Sequence, residues 1–161
     1  MLSALLMSLT LQVADSRPHL RAFVGGNIAV GGAPSLGAGG WGPVADVGVQ
    51  LSDAFGIYAS ARATTLAVVL APTQVSAAVL AEWTAPFRLS IAAGAGWLWT
   101  IVPGFVDQVA SQQHDVAFPL RVSFDVGERS GLRLSLEAGV APFFSSRPFV
   151  WGGLLIGFAW R

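Results

Sequence analysis

The sequence predicts an all-β fold, an eight-stranded antiparallel up-and-down transmembrane β-barrel. Three observations predict it. Apolar residues alternate with polar or small ones in eight separable stretches. Every Arg, Asp or Glu inside a stretch falls on one face, and aromatic residues collect at the two ends of the other face. A period of two marks a strand whose two faces meet different media, and a helical period gives no such segregation.

The stretches follow in order. His19 to Val30 sets Leu20, Ala22, Val24, Ile28 and Val30 against Arg21, Phe23 and Asn27. Trp41 to Leu51 sets Trp41, Ala45, Val47 and Val49 against Asp46, Gly48 and Gln50. Phe55 to about Val69 sets Phe55, Ile57, Ala59 and Ala61 against Tyr58, Ser60 and Arg62. Val75 to Trp83 opposes Ser76, Leu80 and Glu82, and Phe87 to Thr100 carries Ile91, Trp97 and Trp99 opposite Arg88, Ser90 and Leu98. Asp115 to Val126 sets Phe118, Leu120 and Phe124 against Asp115, Arg121 and Asp125. Leu132 to Val140 opposes Arg133 and Glu137, and Val150 to Arg161 sets Leu154, Ile156, Phe158 and Trp160 against Trp151 and Leu155. A membrane strand needs roughly 9–11 residues, which most of these stretches reach.

The connections alternate in length. SDA, TAP and GERSG are tight-turn sequences. GGAPSLGAGG, the segment around Ala71–Gln74, Ile101–His114 and APFFSSRPF are longer. Short turns at one end and long loops at the other suit an outer-membrane barrel, and an even strand number puts both termini on the short-turn, periplasmic side. Phe55, Trp83, Phe87, Phe124, Phe158 and Trp160 form one expected aromatic girdle, and Trp41, Trp97, Trp99, Phe118 and Phe149 the other. Aromatic rings favour the headgroup level of a bilayer.

Composition narrows the function. The 161 residues are 53% hydrophobic and only 11% charged, against roughly 25% charged in an ordinary soluble domain. Net charge is zero and no basic block occurs, so nothing favours nucleic acid as a partner. Without cysteine there is no disulfide or thiolate chemistry, and two distant histidines make a poor metal site; no cofactor or metal is expected. Two uncharged windows, Ala63 to Ala81 and Leu89 to Val106, are long enough for membrane helices, but their Pro, Gly, Val, Ile and Thr content argues for strands. A soluble barrel would carry its polar face outside, and that face here is poor in charge. Residues 1–18 read as a signal-peptide remnant or N-terminal tail, with an apolar run from Met1 to Leu11, and residues 19–161 as the barrel.

Two segments carry a family resemblance. QLSDAFGIYASARA, Gln50 to Ala63, looks like the strand–turn–strand of small outer-membrane barrels, and GGLLIGFAWR looks like their C-terminal strand, with the aromatic Trp160 one residue early. The chain therefore resembles the OmpA- and OmpX-type eight-stranded outer-membrane β-barrels over residues 19–161. That resemblance implies a Gram-negative-type outer membrane, a lipid bilayer around the chain, and recognition of the last strand by the barrel-assembly machinery.

The candidate site is the charged face. An eight-stranded barrel is barely wide enough for its own side chains, so Arg21, Asp46, Glu82, Arg62, Arg88, Arg121, Asp125, Arg133 and Glu137 are expected to pair in an Arg–carboxylate network that plugs the lumen. Small residues on that face, such as Gly48, Gly96, Gly139 and Gly157, either admit water or let Tyr58, Leu98 and Trp151 pack. A structural or surface-interaction role without catalysis follows; a narrow channel for ions or small apolar solutes is the alternative. A lipid-modifying enzyme would need a nucleophile, a base and an orienting carboxylate. His114, Asp115 and Ser111 are the residues of those types, placed in a long loop, and the His-x-Ser arrangement of lipid A deacylase barrels is absent. The apolar IVPGFV segment and the loop around Phe143–Phe149 are the expected surface for a partner.

Overall fold

A computed structural model of the protein describes residues 18–33, 36–66, 73–102, 111–127, 130–143 and 148–160. Eight strands run through them: β1 (His19–Ala33), β2 (Leu36–Ser52), β3 (Phe55–Leu66), β4 (Thr73–Thr84), β5 (Leu89–Val102), β6 (Ser111–Val126), β7 (Ser130–Ala141) and β8 (Phe149–Trp160). Each pairs antiparallel with its sequence neighbours, and β1 closes on β8 from Ala22↔Trp160 to Gly32↔Val150. Closure pairs every strand on both sides through the middle of the barrel, as a strand needs in hydrocarbon. No described helix is long and apolar enough to cross a membrane.

The alternation sorts side chains as the sequence predicts. Leu20, Val24, Ile28, Val47, Leu120, Leu136 and Ile156 are exposed on the outer wall. Arg21, Phe23, Tyr58, Leu80, Glu82, Leu98, Arg121 and Arg133 are buried inside. The barrel is thus inverted relative to a soluble protein, with its ions in the core and its hydrocarbon outside.

Three expectations change at the strand ends. GGAPSLGAGG is not a long loop: β1 and β2 continue their ladder through Gly31↔Ala38, Gly32↔Gly37 and Ala33↔Leu36, leaving only residues 34–35 between them. The backbone ladder extends this hairpin, and glycine hides that in the sequence because it lowers strand propensity. β5 begins at Leu89, so Phe87 and Arg88 lie in the β4–β5 turn. Arg88 has φ 66°, the left-handed conformation such a turn requires, and its N–H donates to the Ala85 carbonyl at 3.0 Å. β6 starts at Ser111, so His114 sits on a strand rather than in a loop. The N-terminal tail through residue 17, most of IVPGFV, and residues 144–147 of the last connection lie outside the described residues.

Inward glycines make room for large rings. A Cβ on Gly139 would lie 2.2 Å from Trp151 Cζ2, and one on Gly48 would lie 2.7 Å from Tyr58 Cδ1. Of the two uses the sequence leaves open for these positions, packing is the one the structure adopts here. Gly139→Leu is therefore expected to lower stability by about 1–3 kcal/mol, as overpacking does. Gly152 faces outward, and its added Cβ would meet nothing closer than 3.6 Å. Urea unfolding in lipid vesicles checks the contrast: Gly139→Leu shifts the midpoint down and Gly152→Ala leaves it in place, whereas equal midpoints contradict the packing argument.

Candidate functional site

The charged side chains of the inner face gather into two groups. Near the short-turn end, β1 supplies Arg21, β4 Glu82, β6 Asp125 and β7 Arg133. Arg133 grips Asp125 with both ends of its fork, Nε to Oδ1 at 2.6 Å and Nη2 to Oδ2 at 2.8 Å. Its Nη1 also donates to Glu82 Oε2 at 3.0 Å. Arg21 faces the same two carboxylates, Nη1 to Glu82 Oε1 at 2.9 Å and Nη2 to Asp125 Oδ2 at 3.1 Å. Arg21 Nη1 further donates to Gln50 Oε1 and to the Tyr58 hydroxyl, both at 2.8 Å, and its guanidinium lies over the Tyr58 ring.

The second group lies further toward the long-connection end. β6 supplies Arg121, β3 Arg62, β2 Asp46 and β7 Glu137. Arg121 donates through Nε and Nη2 to Glu137 Oε2 at 2.9 and 2.8 Å, through Nη1 to Asp46 Oδ2 at 2.5 Å, and through Nη2 to Ser60 Oγ at 3.1 Å. Arg62 pairs with Glu137 Oε1. Trp151 supports this group from β8: its Nε1 donates to Glu137 Oε1 at 3.4 Å and its ring lies under the Arg62 guanidinium.

Each group holds two guanidiniums and two carboxylates and is neutral. All eight side chains are nine-tenths or more buried. Charges at this depth are costly unless each is paired and hydrogen-bonded, and the bidentate forks meet that condition. Apolar clusters occupy much of the remaining interior: Phe23, Val44, Leu155 and Ala159 in one, and Leu98, Ala117, Ala141, Phe149 and Trp151 in the other. Asn27 and Thr64 bond to each other at 2.9 Å, and Asn27 Nδ2 donates to the Gly42 carbonyl.

Eight of the nine charged residues singled out in the sequence meet in these groups. The ninth, Arg88, lies in the β4–β5 turn and is half-buried, with its carbonyl accepting from Asp125 N–H at 3.2 Å. Gln50, Ser60, Tyr58 and Trp151 join the networks without being expected there as bonding partners. Their inward parity was visible, but their reach across the lumen was not.

The outer face carries the aromatics. Trp41, Phe55, Trp83, Trp97, Phe118, Phe124, Phe158 and Trp160 are exposed on strands, and Phe87 is exposed in its turn. Trp99 is half-buried. Phe149 departs from the expected girdle: it points inward, 4% exposed, against Trp151. Its odd position shares the parity of Trp151, which the sequence already places on the inner face.

His114 and Asp115 are consecutive on β6 and so face opposite sides of the wall. His114 is outward, held between Trp97 and Trp99. Asp115 is inward, and its two oxygens accept from the Val116 and Phe143 N–H groups at 2.7 and 2.8 Å. This strand geometry sets apart His114 and Asp115, two of the three residues with the types an acid–base cluster would need. Among the described residues, no group of three or more His, Cys, Asp or Glu side chains is placed to hold a metal ion.

A closed eight-stranded up-and-down barrel with an apolar wall and ion pairs inside defines a class, the small transmembrane β-barrels. No family model matches the chain, and no curated protein matches it in sequence. Solved structures match it in fold. Neisserial surface protein A aligns over 91% of this chain and 99% of its own, with a TM-score of 0.69 at 11% identity. Ail, the attachment invasion locus protein of Yersinia pestis, covers 90% of this chain and 100% of its own, with a TM-score of 0.59 at 13% identity. The N-terminal β-barrel domain of Pseudomonas aeruginosa OprF covers 86% and 97%, with a TM-score of 0.56 at 16% identity. The chain has the fold of the OmpA-, OmpX- and Ail-type barrels.

Glu137 is the shared acceptor of Arg62, Arg121 and Trp151. Glu137→Ala leaves two buried guanidiniums short of a partner, and a loss of about 3–5 kcal/mol is expected. Thermal unfolding followed by heat-modifiable gel migration checks this: the folded band of the variant disappears at a clearly lower temperature. A variant as heat-resistant as the parent contradicts it.

Proposed function

We propose that the protein is a non-catalytic resident of a Gram-negative-type outer membrane, with a structural or surface-interaction role and a lumen plugged by its two ion-pair groups. The observation that carries this reading is the neutral packing of eight charged side chains across the interior, each of them in an ion pair. A cavity among the second group, lined by Ser60, Arg62, Arg121, Glu137 and Trp151, measures about 10 Å³. That is room for one water molecule and not for a file of them. In this reading the termini and short turns face the periplasm and the long connections face outward. The outward Phe158 and Trp160 at the end of β8 suit recognition by the barrel-assembly machinery.

The role then belongs to the outer ends of the strands. Phe143, at the start of the β7–β8 connection, is 75% exposed, and such an apolar side chain at a loop suits contact with a partner surface. Absence of catalysis is supported by His114 and Asp115, which lie on opposite faces of the wall and are engaged there by indoles and backbone amides. Planar-bilayer recording of the refolded protein tests the plug. The expected trace is a quiet baseline at barrel numbers where an open pore would register, and stable unitary steps overturn the reading in favour of a channel.

A further inference from the structure

Among the described strand residues, His114 is the one ionisable side chain on the outward face. It is exposed, yet it is held in a fixed frame. Trp97 Nε1 donates to His114 Nδ1 at 3.3 Å, and the Trp99 ring stacks on the imidazole at 5.8 Å with the planes 8° apart. Because Nδ1 accepts, the ring proton is carried on Nε2. Nε2–H is then a donor on the outer wall, at the level where the indoles sit. Trp97 is also one end of an apolar recess of about 690 Å³ in the same wall. The recess follows a cross-strand row, Trp97↔Ala77↔Ala61↔Ala45↔Val24, whose small side chains form its floor.

A donor facing a hydrocarbon medium is costly unless an acceptor reaches it. The headgroup layer supplies acceptors, and the strongest are phosphate oxygens, which form charge-assisted bonds. A wall of small side chains lets a chain approach the backbone closely. We propose that the His114 frame and the alanine-floored recess are one binding site for a phosphorylated acyl lipid of the surrounding leaflet. The phosphate accepts from His114 Nε2–H, and an acyl chain lies along Ala77, Ala61 and Ala45. The site rests on the membrane reading above, and commits to a lipid rather than a free anion.

Native mass spectrometry of the detergent-purified barrel tests it, with phosphatidylglycerol, diacylglycerol of the same chains, and inorganic phosphate as separate probes. The parent protein is expected to retain one phosphatidylglycerol in preference to diacylglycerol. His114→Phe, which keeps the ring and removes the donor, is expected to weaken retention about tenfold, the worth of one hydrogen bond to a charged group. His114→Gln keeps a donor and most of the retention, and Ala61→Leu fills the recess and weakens retention with the donor intact. Both positions face outward, so these variants are expected to fold as the parent does. Equal retention by His114→Phe, equal retention of diacylglycerol, or inorganic phosphate bound in place of the lipid each overturns the site. Insertion into vesicles, read separately by heat-modifiable migration, tests the membrane reading: a barrel that inserts but does not discriminate between the lipids overturns this site alone.

Discussion

The structure depends on one constraint: charges enclosed by a barrel wall must find partners within that wall. An eight-stranded barrel has no room for a shell of water around a guanidinium. Arg21, Arg62, Arg121 and Arg133 therefore each meet a carboxylate from another strand. The two groups tie β1 to β4, β6 and β7, and β2 to β3, β6 and β7, across a lumen that backbone ladders alone would leave unbraced. Such pairs give little net energy beyond what a well-packed apolar core would supply, but breaking one is costly. Their contribution is to specify one register and one closed shape, since a one-residue slip of a strand would turn that strand's charges out to the hydrocarbon.

Part of this was legible in the sequence, and the reason is local. Arg121 and Glu137, and Asp125 and Arg133, are directly opposed on the β6–β7 hairpin. Their spacing around the GERSG turn follows from hairpin register and inward parity alone. The pairs Arg21–Glu82, Arg62–Glu137 and Arg121–Asp46 cross the lumen. They depend on the tilt and stagger of the closed sheet, which alternation does not encode. Alternation places Arg88 on a strand, but its left-handed backbone belongs to the turn just before β5, which parity does not reveal. The Gly31–Gly40 hairpin looks like a loop in sequence because glycine carries no side-chain signal. His114 looks like a loop residue for a related reason: SQQ, which opens β6, is polar and weak in strand propensity.

The inner surface is fitted rather than merely polar. Large rings on one strand lie over glycines on the next, as Trp151 does over Gly139 and Tyr58 over Gly48. The same rings then carry guanidiniums, Tyr58 under Arg21 and Trp151 under Arg62. Shape and charge are thereby settled by the same residues. On the plugged-lumen reading proposed above, the surfaces left for function are the outer wall and the long connections, and His114 is the ionisable side chain among the described strand residues of that wall.

Burial of all eight charged side chains implies that the ion-pair groups are sealed from water. Arginine side-chain NMR of the ¹⁵N-labelled barrel in lipid nanodiscs, followed after transfer to D₂O, tests it most directly. Sealing predicts that the Nε–H signals of Arg121 and Arg133 persist many times longer than those of free arginine in the same buffer. Loss of both signals at the rate of free arginine would contradict it.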